Sequence, residues 1–171
     1  MINQTQWLSQ LPALAGIAYL FAVAPRLAVI DLRERRLPNR LVLPGFPVAL
    51  LGQLVAVAIN PATAQQLLNA IMAGLVAFGL TLIANIRFGL GMGDVKLFVL
   101  IALSLGWFSP WLVAAVWVFA SMTGVLQVGV SVLRARTLRL RGTIALGPHL
   151  LAGFVLAACL AAWMAIAGSG G

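Results

Sequence analysis

Three carboxylates, Asp31, Glu34 and Asp94, are all that 171 residues contain, and charged side chains of either sign make up only 8%. A soluble domain of this length needs about a quarter of its residues charged to cover its surface. That shortage excludes a soluble fold and leaves no room for a separate soluble domain. One cysteine, Cys159, excludes an intrachain disulfide and a CxxC metal site. It falls inside the last apolar run and reads as a buried small apolar side chain. One histidine, His149, has no second histidine or cysteine near it and reads as structural rather than as a metal ligand or nucleophile. No serine stands in a GxSxG elbow, which argues against a serine protease. No Arg or Lys precedes Arg26, so a cleaved signal peptide is not expected and the first apolar run is read as a retained helix.

What is present is hydrocarbon: 63% of the residues are hydrophobic and the mean hydropathy is +1.07. Six apolar segments, at about 8–30, 41–59, 67–86, 95–108, 111–133 and 144–166, predict an all-α polytopic membrane protein of one domain. The fourth is too short to span. Its length gives about 21 Å of helix against a hydrocarbon core of roughly 30 Å. Gly89 to Gly93 must then dip inward to meet it, in backbone that has to be buried in protein or line a watery cavity. Pro12, Pro25, Pro44 and Pro47 are placed near helix ends, and Gly74, Gly79, Gly124 and Gly129 as close-packing points between helices.

The net charge of +8 would suggest nucleic acid in a soluble protein. Here orientation explains it better, and nucleic acid is not expected as a partner. The connection "DLRERRLPNR", the connection holding Arg87 and Lys96, and "RARTLRLRG" carry the basic residues, while "NPATAQQ", the fourth connection and both termini carry none. The basic connections face the cytoplasm and both termini face out. Arg26 can snorkel to the same side. Trp7, Trp107, Trp111 and Trp163 fit an outer aromatic belt, and Trp117 is read as packing or lipid contact.

Counting crossings puts Asp31, at the end of the first helix, and Asp94, at the start of the fourth, on one membrane face. The residues alone leave Asp31 open between a helix-end acid paired with Arg26, Arg35 or Arg36 and a functional group. Asp94 at a helix N-terminus has its charge favoured by the dipole. Two carboxylates at close range share a proton, so one can activate water while the other protonates a leaving nitrogen. Peptide-bond hydrolysis at the membrane edge fits that chemistry. The "GLGMGD" glycines fail the dinucleotide pattern. Glu34, in "RERR", reads as a solvated loop residue, and Lys96 is open between a positive-inside anchor and a charge that tunes Asp94 or holds its loop. A small transporter with the aspartates as a proton or cation site, or an assembly component that binds without cutting, would use the same acids differently.

Three stretches resemble the prepilin leader peptidases, membrane aspartic proteases of the GxGD type: "DLRERRLPNRLVLP" (31–44), "GMGDVKL" (91–97) with "LSLGW" after it, and "IALGPHLLAG" (144–153). The resemblance implies Asp31 and Asp94 as the catalytic pair, with Gly91, Gly93, Lys96, Pro38, Asn39, Gly147 and Pro148 as supporting residues. It implies a prepilin or pseudopilin substrate with a short basic leader, cut where a hydrophobic helix begins. It places the enzyme in the bacterial inner membrane, among lipid and pilus secretion machinery, with no cofactor. Only 30 residues precede Asp31 and CxxC pairs are lacking, which points to the short members that process Flp-type pilins without methylating them. The third stretch departs from the family in lacking its first proline and in carrying His149 where phenylalanine is common.

Overall fold

The computed structural model describes residues 8, 10–34, 36–135 and 147–168. Trp7, Arg35, Arg136, Arg139, Arg141, residues 144–146 and the two ends of the chain, each given a place above, lie outside them. Among the described residues every regular element is helical. A 3-10 turn, Leu11–Leu14, leads into α1, Ala15–Glu34. The short α2, Asn39–Val42, precedes α3, Gly45–Ile59. Next come α4, Ala64–Phe88, α5, Met92–Gly106, α6, Pro110–Ala135, and α7, Gly147–Gly168.

Four segments are long and apolar enough to cross a membrane: Leu11–Glu34, Asn39–Ile59, Pro61–Arg87 and Pro110–Gln127. The chain is a membrane protein. Large apolar side chains point outward along these helices, among them Leu51, Met72, Leu75, Ile83 and Val125. In water such a surface would aggregate; in a bilayer it meets lipid.

α5 is different. From Val95 to Gly106 nearly every side chain is buried, and the helix packs against α1, α2, α3, α4, α6 and α7. A helix apolar all round belongs at the centre of its bundle. At 15 residues it is about 22 Å long, and being enclosed by protein it does not have to match the bilayer. Phe98 anchors it with a T-shaped contact to Trp117, ring centroids 5.0 Å apart, so Trp117 is a packing residue. Gln53 Nε2 donates to the Leu103 carbonyl at 2.9 Å, tying α3 to the same helix.

Several expectations need correcting. Trp107 is not in an outer belt; it is 1% exposed and closes the C-terminus of α5 inside the core, while Trp111 and Trp163 are exposed. Cys159 is exposed, because an apolar side chain has no reason to avoid a lipid-facing surface. Pro25 lies inside α1 rather than near an end. Gly79, Gly124 and Gly129 have open space where a side chain would stand, and Gly74 has ordinary contact. The helices approach closely elsewhere: a Cβ on Gly106 would stand 2.6 Å from that of Ala73, and one on Gly153 2.6 Å from the Val116 carbonyl oxygen.

Helix ends also move. α1 does not stop at Ile30 but runs on to Glu34, because Leu32, Arg33 and Glu34 favour helix and the breaker, Pro38, comes later. The second segment is split into α2 and α3 around Leu43 and Pro44. The fourth helix begins at Met92, not Val95, so the segment between α4 and α5 is only Gly89 to Gly91. Gly89, at φ +69°, ends α4 in the left-handed conformation that glycine adopts without steric cost. Gly91 and Gly93 have no such backbone need.

Candidate active site

Asp31 occupies the last turn of α1 and is 4% exposed. Among the described residues no cation pairs with it; the ion pair in this region joins Arg36 Nε to Glu34 Oε2 at 3.1 Å, out in solvent. Asp94 is the third residue of α5. Its N–H closes the first turn on the Gly91 carbonyl at 3.0 Å, so its carboxylate stands at the positive end of the helix.

Gly147 brings the two acids together. It opens α7, and its backbone N–H donates to Asp31. A Cβ at Gly147 would stand 2.6 Å from Asp31 Oδ2 and 3.5 Å from Asp94 Oδ1. The two oxygens therefore lie no farther apart than the sum of those distances. Both are buried and neither has a hydrogen-bond partner. A buried carboxylate oxygen left unpaired is expensive, so this pair of atoms has to be served by a shared proton, a water or a ligand. Pro148 follows in the first turn of α7, where a missing N–H costs nothing.

The segment after Asp31 is clamped to the helix that carries Asp94. Pro38 caps α2, its carbonyl accepting from Leu41 N–H at 3.0 Å. Asn39 Oδ1 accepts from Lys96 Nζ at 3.0 Å. A Cβ on Gly93 would stand 2.9 Å from the Leu37 Cβ, so Gly93 is the gap that admits Leu37. On Gly91 a Cβ would approach Asp94 Oδ2 at 3.1 Å, so that glycine leaves room for the carboxylate itself. The short segment is held from below as well, since Asn85 Nδ2 donates to the Leu90 carbonyl.

Leu37 and Asn85 also shape the site. Asn85 carries a signal in sequence, an amide in an apolar run just before the glycines; Leu37 carries none. His149 is buried on α7, with Nδ1 3.2 Å from Thr123 Oγ1 of α6 and Nε2 unpartnered. Among the described residues no three His, Cys, Asp or Glu side chains gather to hold a metal ion.

Fold and site together define an integral membrane protein with an acid pair at the common end of three helices. The chain belongs to the type IV leader peptidase family, whose model matches residues 14–132. That stretch contains Asp31 and Asp94 and ends before Gly147. Searches of curated proteins and of solved structures found no match. Membership makes a peptidase with a prepilin substrate the general reading.

Proposed function

We propose that this chain is an aspartic endopeptidase that removes the short basic leader from Flp-like prepilins or pseudopilins at the cytoplasmic face of the bacterial inner membrane. Asp31 and Asp94 are its catalytic pair. The observation that carries this is the convergence of two buried, unpartnered carboxylate oxygens on Gly147. The chain crosses the bilayer six times, with α5 and α7 completing the four longer spans, and both termini lie outside. The basic connections, crowded on one side, support that orientation.

The acids divide the work. One carboxylate, ionised, takes a proton from a water that attacks the scissile carbonyl carbon. The other, protonated, hydrogen-bonds the carbonyl oxygen as it gains charge. Collapse of the tetrahedral intermediate breaks the C–N bond, and a proton passes to the leaving nitrogen. Water is the only co-reactant. Gly147 keeps the carboxylates in register, and the Lys96–Asn39 bond with the Gly93–Leu37 contact keeps α2 and α5 from drifting apart.

Co-expression with a prepilin, followed by a gel shift for the lost leader, tests this. Asp31→Asn and Asp94→Asn should each lower cleavage at least about a thousandfold at unchanged membrane levels. Wild-type cleavage by either variant overturns the assignment.

A further inference from the structure

α1 and α7 pack against each other. At the acids, Gly147 stands against Asp31. Farther along, the Phe21 and Phe154 rings meet with centroids 4.9 Å apart. Between these contacts runs a groove of about 550 Å³, walled by Ala24 and Ala28 of α1 and by Pro148, Ala152 and Val155 of α7, with Phe21 at its far end. Ala28 precedes Asp31 by one helical turn and shares its face. Pro148 adjoins Gly147. The groove therefore begins within one helical turn of Asp31 and leads away from it along the helices. From Ala28 to Phe21 it covers about 10 Å of helix.

We propose that this groove seats the first apolar turns of the prepilin, those directly following the scissile bond; the proposal rests on the peptidase reading above. Position argues for it, since a chain held here presents the peptide bond just before its apolar segment to Asp31 and Asp94. Size argues for it too: Ala24, Ala28 and Ala152 are the small side chains that let helix backbones approach in a membrane. Its lining is wholly apolar, so a basic leader is rejected and the substrate enters in one polarity only. A second groove, between α4 and α6, runs from Asn69 and Pro110 to Leu80 and Phe98, and no residue of the α1–α7 contact at Asp31 lines it.

A photoreactive benzoylphenylalanine at position 28 or 152, in an Asp94→Asn chain, should crosslink to full-length prepilin in membranes. The same group at position 114, in the second groove, should not. Adducts from 28 and 152 with lipid or a second copy of the chain, and none with prepilin, overturn the proposal. In kinetics, Ala28→Leu and Ala152→Leu should raise KM for the full precursor about tenfold or more. Cleavage of a peptide ending shortly after the scissile bond should stay within about twofold. Equal loss on both substrates would mean a damaged site rather than a filled groove. If a leucine variant fails to fold, the crosslink decides. Crosslinking without cleavage by the wild type would strike the peptidase reading alone; cleavage without crosslinking would strike the groove alone.

Discussion

Gly147 has no side chain where one would stand 2.6 Å from Asp31 Oδ2, a separation that real Cβ contacts do not tolerate. Gly147→Ala must therefore move Asp31 or α7. Since misplacing a reacting group by about 1 Å can cost a hundredfold, leader removal should fall by about that factor. The variant should still reach the membrane and resist extraction like the wild type. Initial cleavage rates, normalised to membrane-embedded protein, check it.

Gly93→Ala makes the same kind of demand at the clamp, where the new Cβ would meet the Leu37 Cβ at 2.9 Å. Activity should drop about tenfold or more. Leu37→Gly, which removes the opposing Cβ, should restore part of it. A double variant no better than Gly93→Ala would show that the contact does not matter.

Lys96→Met and Asn39→Ala each delete the same 3.0 Å hydrogen bond. It is exposed, so each should cost only about 0.5–1.5 kcal/mol in stability. The double variant should cost little more than either single, because one interaction is lost once. Thermal unfolding in detergent reads the cycle.

In the proposed mechanism two carboxylates share one proton, and that dictates the pH response. Falling pH protonates the second carboxylate and removes the base; rising pH takes the shared proton and removes the acid. Cleavage of a fixed substrate against pH should trace a bell with both limbs belonging to the pair. A profile with a single limb would mean that only one of the two acids takes part.

Phe98→Ala opens a cavity in the central helix, under the Trp117 ring. Loss of about 3–5 kcal/mol is expected, visible as a large fall in the detergent melting temperature.

The helical membrane character was legible because lipid imposes a strong rule on composition: long apolar runs with basic connections. The shared end of Asp31 and Asp94 followed from counting crossings. Interior packing was not legible. In a membrane protein the core and the lipid-facing surface are both apolar, so hydropathy could not tell buried Trp107 from exposed Trp111, or exposed Cys159 from a buried one. The glycines illustrate the same limit. Spacing drew notice to Gly74, Gly79, Gly124 and Gly129, whereas the close approaches fall at others, among them Gly52, Gly93, Gly106, Gly147 and Gly153. Helix ends moved because hydropathy stops at the first charge, whereas a helix stops at a breaker.

Because α5 is wrapped by the six other helices, it is insulated from the bilayer. The outer helices must tilt or flex when the surrounding lipid thickens or thins. The helix carrying Asp94 does not have to. The height of Asp94 is thus set by the protein interior, as a fixed mark on a gauge. Membrane thickness would then change where a substrate floats relative to that mark, and so which of its bonds comes level with the acids.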